Sequence, residues 1–291
     1  MNIFQRSWTT AKLSFSVIWQ DKELLLFPLI AAILSAIFSV AMLFPTVFAQ
    51  FAEGAAGIEF GPLQIAATFA TYLGLAFIGT FSNVCVVYTT RKRLSGGDAT
   101  FFESIGFALS KSHRILGWSV LSATVGLLLR FLLNAAENSG RVGQALLSIF
   151  ESMLAAAWKI ITLFVVPAMV FYDLGPIDAI RKSGQTLKRT WGESLVGNWG
   201  LGFVSFFIVL PGIAELVVGG VLLANEMTTV GLVLLCGGVF WLILAALVIG
   251  VANMVYTTAL FMYAESGIAP SGFSTELLAG AFGPLTSRNW T

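Results

Sequence analysis

Six long stretches almost free of charge constrain this chain more than any other feature. A hydrocarbon core of ~30 Å is crossed by about twenty residues at a rise of 1.5 Å each. Windows of that length fall near 24–49, 64–89, 115–136, 146–171, 195–223 and 230–263. Within lipid every backbone amide and carbonyl has to be satisfied inside the segment, so such spans are helices. The last two are long, which calls for tilt, a bend at Pro211 and Gly212, or helix that continues beyond the bilayer. Only 11% of the 291 residues are charged, less than half the ~25% of a soluble domain. The expected fold is therefore an all-α integral membrane protein, one transmembrane domain over 1–291. Val47 and Ala49 after the first span form a weak cleavage pattern, but that span is too long for a signal peptide and acids as well as bases precede it. It is expected to stay.

Charge sets the expected orientation. Arg6, Lys12 and Lys22 precede the first span, Arg91, Lys92, Arg93, Lys111 and Arg114 lie between the second and third, and Arg181, Lys182, Lys188 and Arg189 between the fourth and fifth. Arg288 follows the sixth, whereas the opposite loops hold Glu53, Glu59, Glu226 and a single base, Arg141. Thirteen bases against one put both termini in the cytoplasm by the positive-inside rule.

The segment before each odd span has one pattern. Phe4, Trp8, Ala11, Phe15 and Ile18 share a helical face, with Gln5, Arg6, Thr9 and Lys12 on the other, before Asp21 opens the span as an N-cap. Thr100 and Glu103 form a capping box, after which Phe101, Ile105, Ala108 and Leu109 oppose Ser104, Lys111 and Arg114. Pro176 suits a first helical position, and Ile177, Ile180, Gly184, Leu187 and Trp191 oppose Arg181, Lys182, Gln185, Lys188 and Arg189. Such helices lie in a membrane interface rather than across it. The even spans also end alike, in Val87-Tyr88-Thr89-Thr90 and Val255-Tyr256-Thr257-Thr258, with Val170-Phe171-Tyr172 a looser version. The chain thus reads as three parallel units of surface helix, span, span, near 1–96, 97–175 and 176–291, with a fourth short surface helix over 273–282.

Trp8, Lys12, Ser14 and Val17, with Asp21, Lys22, Glu23, Leu24, Leu25, Phe27 and Pro28, carry a resemblance. They resemble the opening signature of an uncharacterised family of prokaryotic polytopic membrane proteins. The resemblance covers this opening segment and implies a prokaryotic inner membrane; it implies no reaction and no catalytic residue.

Four charges lie at membrane depth: Arg130, Glu151, Lys159 and Glu215. Each costs about 2.5–3.5 kcal/mol at a helix centre on insertion scales, and two cations with two anions can cancel in an ion-pair network. Arg130, with Asn134 and Glu137 on its face, is expected toward the outer side of the third span, where it can snorkel or pair with Glu151 or Glu215. Lys159 reads as mid-bilayer, either structurally paired or lining a polar path. Glu151, about 80° away round the helix, does not share its face. Asn83, Asn198 and Asn253 form a second polar layer, suited to interhelical hydrogen bonds of ~0.6 kcal/mol each. Ser35 with Ser39, Ala70 with Gly74, Ser122 with Gly126 and Ala246 with Gly250 are small-residue pairs that let helices approach.

Little points to catalysis. One histidine, His113, and two cysteines in apolar runs, Cys85 and Cys236, supply no metal or haem ligand set. No phosphate loop, HExxH helix or nucleophile elbow occurs. Asp173 and Asp178, about Gly175 and Pro176, read as helix termination and a favourable first-turn charge. No cofactor is expected, and a net charge of +1 leaves no basic excess for nucleic acid. The expected partners are anionic lipids of the inner leaflet, held by Arg6, Lys12, Lys111, Arg114, Arg181, Lys182, Lys188 and Arg189, and a protein partner or second copy of the chain. The favoured function is a non-catalytic accessory, scaffold or membrane-homeostasis component. A transporter or channel for a small solute or lipid, working through the intramembrane charges, and a lipid-modifying enzyme are the alternatives.

Overall fold

The computed structural model describes residues 3–52, 61–137, 141–191, 202–275 and 278–279. It is all-helical, with 89% helix and no strand among the described residues. In chain order the elements are α1 (Ile3–Gln20), a 3-10 turn (Lys22–Leu25), α2 (Leu26–Ala52), α3 (Pro62–Leu94), α4 (Phe101–Ser110), α5 (Ser112–Glu137), α6 (Arg141–Ile161), α7 (Val165–Tyr172), α8 (Pro176–Trp191), α9 (Gly202–Ala224) and α10 (Thr228–Ser266). Among the described residues six stretches are long and apolar enough to cross a membrane: Lys22–Pro45, Gln64–Leu94, Ser112–Asn134, Gln144–Tyr172, Val204–Ala224 and Thr228–Ser266. The loop over 53–60 and half of 273–282, where a further surface helix is expected, lie outside the described residues.

Two compact units emerge. A central unit contains Phe27–Thr89 and Ala99–Arg189; a terminal unit contains Met1–Leu26, Thr90–Asp98 and Thr190–Thr291. These boundaries cross the three sequence units, which group residues by order rather than by packing.

In the central unit the core gathers at one end of the spans. Val84, Cys85, Val86, Val87 and Thr89 near the end of α3, Ile115 and Trp118 at the start of α5, and Phe164, Val165, Ala168, Met169 and Val170 about α7 are buried. Farther along, Ile65, Leu128, Phe131, Leu146, Ile149, Phe150 and Met153 are exposed, a large apolar surface suited to hydrocarbon rather than water. The fourth span is not one helix. Its ladder gives way to a turn at Thr162–Phe164, because Pro167 has no N–H to offer the carbonyl four residues back and its ring crowds that carbonyl. Thr162 Oγ1 donates to Trp158 O at 2.7 Å, and Trp158 stacks on Trp118 with ring centroids 5.9 Å apart.

In the terminal unit α9 and α10 form an antiparallel hairpin through glycine. A Cβ on Gly219 would lie 2.9 Å from Gly231 O, one on Gly231 2.9 Å from Gly219 O, and one on Gly238 2.9 Å from Gly212 O. Only the absence of side chains permits this backbone contact. The small-residue pairs read from the sequence fare unevenly: Gly74 abuts the Phe38 ring, whereas a Cβ on Gly250 would meet nothing within 4 Å. Pro211 has no N–H for the helical ladder, and from the facing helix Trp241 Nε1 donates to Ile208 O at 2.8 Å. At 39 residues, α10 is about 58 Å long, nearly twice a hydrocarbon core. Its far end, from Val251 to Ala264, is the most buried part of the unit, and α1 packs against it with Ala11, Ser14, Val17 and Ile18 turned inward.

Candidate functional site: hydroxyls and charges about the surface helices

Each short helix that precedes an odd span turns a serine into the protein. In α4, Thr100 Oγ1 accepts from Glu103 N–H at 3.3 Å, as an N-cap should. The Glu103 carboxylate accepts from Tyr88 Oη at 2.7 Å, and Tyr88 stacks on Phe107 at 4.3 Å. Ser104 is fully buried, its Oγ 2.7 Å from Thr89 Oγ1. This corrects the expectation that Ser104 shares the outer polar face with Lys111 and Arg114. The outward residues are instead Phe102, 80% exposed, and Leu109, 58% exposed.

The pattern repeats with different outer chemistry. In α8, Ala179, Ser183, Thr186 and Leu187 are buried, while Ile177, read as part of the apolar inner face, is exposed. Ser183 Oγ accepts the Phe164 N–H at 3.1 Å, satisfying an amide at the break in the fourth span. The outward row is Arg181, Gln185, Lys188 and Arg189. In α1, Thr10, Ala11 and Ser14 face inward and Trp8, Lys12 and Trp19 face out. A small hydroxyl lets another backbone come close, so rows that read as polar are the packing faces; Ser104 and Ser183 find partners there, while Thr10 Oγ1 and Ser14 Oγ are buried without one among the described residues.

Charged groups pair within each unit. Asp21 does not cap a helix with its side chain; its two oxygens accept from Nε and Nη2 of Arg93 in a bidentate pair, and Asp98 takes Arg93 Nη2 at 2.8 Å. In the central unit, Asp173 sits in the left-handed region, φ 54°. Its Oδ1 lies 2.6 Å from Lys111 Nζ and 2.7 Å from Arg114 Nη1. The hydrogen bond from Lys111, aided by the charge of Arg114, holds this carboxyl below the usual carboxylate range. Lys111 and Arg114 are thus engaged with a carboxylate, where the sequence offered them to lipid. Asp178 pairs with Arg181 at 3.3 Å, and Lys182 Nζ lies 4.5 Å over the Tyr172 ring. Lys12, Lys188 and Arg189 are exposed. The Arg6 side chain lies outside the described residues.

Of the membrane-depth charges, Arg130, Glu151 and Lys159 belong to the central unit. Arg130 is exposed and its Nη1 donates to Tyr72 Oη at 3.5 Å. Glu151 is half-buried, with Ser152 Oγ 3.5 Å from its Oε2. Lys159 is exposed in the last turn of α6, two residues from the helix end, where a cation complements the helix dipole. Glu215 belongs to the terminal unit, its carboxylate beside Gly237. Asn83 is half-buried in the central unit, Asn253 is exposed in the terminal unit, and Asn198 lies outside the described residues. Cys85 is buried and Cys236 exposed, both as free thiols. Among the described residues no three His, Cys, Asp or Glu side chains gather as a metal would need.

Fold and charges together define a helical protein with six stretches apolar enough to span a membrane. Residues 63–273 match a family described as a family of unknown function (DUF6159), and the chain belongs to that family. The matched region does not include the Trp8 to Pro28 signature. A search of curated proteins returned no match.

Proposed function

We propose that this protein is a non-catalytic, multi-pass component of a prokaryotic inner membrane, an accessory, scaffold or membrane-homeostasis protein with both termini cytoplasmic. Its three surface helices engage anionic lipid. The observation that carries this reading is what those helices leave outward: Trp8, Lys12 and Trp19 on α1, Phe102 and Leu109 on α4, Arg181, Lys188 and Arg189 on α8. Indole rings favour the headgroup level, large apolar side chains the acyl boundary, and Lys and Arg the anionic surface. With six crossings, all three helices fall on one side.

Native mass spectrometry of the full-length protein, purified in detergent and offered equal phosphatidylglycerol and phosphatidylcholine, tests this. Retention of phosphatidylglycerol in preference, lost in part by Arg181→Gln with Lys188→Gln, supports it; equal retention of both lipids overturns it. Impermeant labelling of Gly57→Cys from intact cells, with Gly97→Cys unlabelled in a background lacking Cys85 and Cys236, tests the orientation.

The break at Thr162–Phe164 beside Lys159 favours a second reading, a transporter or channel for a small solute or lipid, since discontinuous helices line many transport sites. Lys159→Met with unchanged thermal stability and lost flux in proteoliposomes would move that reading to the front. Lost stability without lost flux would remove it.

A further inference from the structure

We propose that Lys111 and Arg114, at the head of α5, bind the phosphate of an anionic lipid headgroup, with Asp173 as the internal carboxylate that competes for them. This rests on the reading of the surface helices as lipid-binding and names one site within it. Two cations face one carboxylate, and both approach the same oxygen, Oδ1. Arg114 Nη1 lies near that oxygen but off the angle a hydrogen bond needs, so this buried nitrogen has no aligned acceptor. The N-terminus of the 26-residue helix α5 adds positive potential at the same place. A phosphate, with several acceptor oxygens and at least one full charge, satisfies this set more fully than one carboxylate oxygen.

The surroundings favour lipid over free phosphate as the source. Ser112 opens the third span and Tyr172 closes the fourth, so Lys111 and Asp173 flank the levels where these helices leave hydrocarbon. Arg114 Nε donates to His113 Nε2 at 3.3 Å. His113 begins an exposed row on α5 that continues through Leu116 and Val120 to Leu128, at the 3, 4 and 8 spacing of one helical face. A phosphate held by Arg114 would have its acyl chain directed along that row.

The test uses the full-length protein in detergent, with phosphatidylglycerol retention read by native mass spectrometry. Lys111→Gln with Arg114→Gln is expected to lower retention about thirty-fold, as the loss of two near-surface charges implies, while Lys111→Arg with Arg114→Lys restores most of it. Asp173→Asn, which removes the competitor, is expected to raise it. Unchanged retention in the double glutamine variant, with retention reduced by Arg181→Gln and Lys188→Gln, overturns this site and leaves the general reading standing. No preference for phosphatidylglycerol in the unmodified protein overturns both. Inorganic phosphate is the second arm: if it alone protects the unmodified protein against heat, fails to protect the double glutamine variant, and phosphatidylglycerol is not retained, the lipid assignment falls and the site belongs to a free anion.

Discussion

The two halves of α10 belong to one helix and are held by different physics. From Thr228 to Gly250 it meets α9 through Gly231 and Gly238, and presents Val233, Val239 and Phe240 outward. From Val251 to Ala264 most side chains are buried, among them Val255, Tyr256, Ala259, Phe261 and Tyr263. Between lipid-solvated helices an apolar side chain gains little by leaving hydrocarbon for protein, so association depends on close backbone approach and the few hydrogen bonds made there. A crossing of about twenty residues from Thr228 would end near Gly250, and burial beyond it would remove apolar surface from water and contribute in proportion to area. The same composition therefore carries different information on the two sides of one boundary.

Four substitutions probe that boundary, from the largest expected loss to the smallest. Phe261→Ala removes a fully buried ring and should cost about 3–5 kcal/mol, measured by denaturant unfolding in detergent; a loss under about 1 kcal/mol would mean this half is not packed against water. Gly219→Leu sets a side chain where Gly231 O and Leu235 N now lie and should cost about 1–3 kcal/mol. Its separate signature is a weakened α9–α10 contact in disulfide cross-linking across the hairpin, and unaltered cross-linking would argue against the glycine contact. Trp241→Phe deletes the hydrogen bond to Ile208 O and should cost only ~0.6 kcal/mol. Phe240→Ala, at a 63% exposed position, should fall within about ±0.5 kcal/mol; a loss above about 2 kcal/mol would show that this face is covered by protein rather than lipid.

The spans were legible because length and lack of charge are properties of the chain alone. Finer features needed partners. Arg93 lies 72 residues from Asp21, and no local pattern joins them. The break in the fourth span was available in the sequence, since Pro167 forbids a continuous ladder there, but an uncharged window conceals it. The inward Ser104 was hidden by counting its hydroxyl as outward. Thr10 with Ser14, Ser104 with Ala108 and Ala179 with Ser183 all have small-residue spacing of four, the same signal sought only within the spans. The glycine contact escaped for a similar reason: Gly212 with Gly219, and Gly231 with Gly238, stand seven apart rather than four.

Chain synthesis meets the bond between Phe164 and Ser183 in a fixed order. Phe164 leaves the ribosome nineteen residues ahead of its acceptor, so the fourth span enters the bilayer with that interruption not yet closed. An unmatched amide in hydrocarbon is costly, which weighs against this span settling by itself. Completion waits for α8 to be made and to fold back onto α7. The surface helix is in this sense the last piece of the span before it, and a nascent chain halted between Tyr172 and Ser183 should be drawn from the membrane more easily than one halted after Trp191.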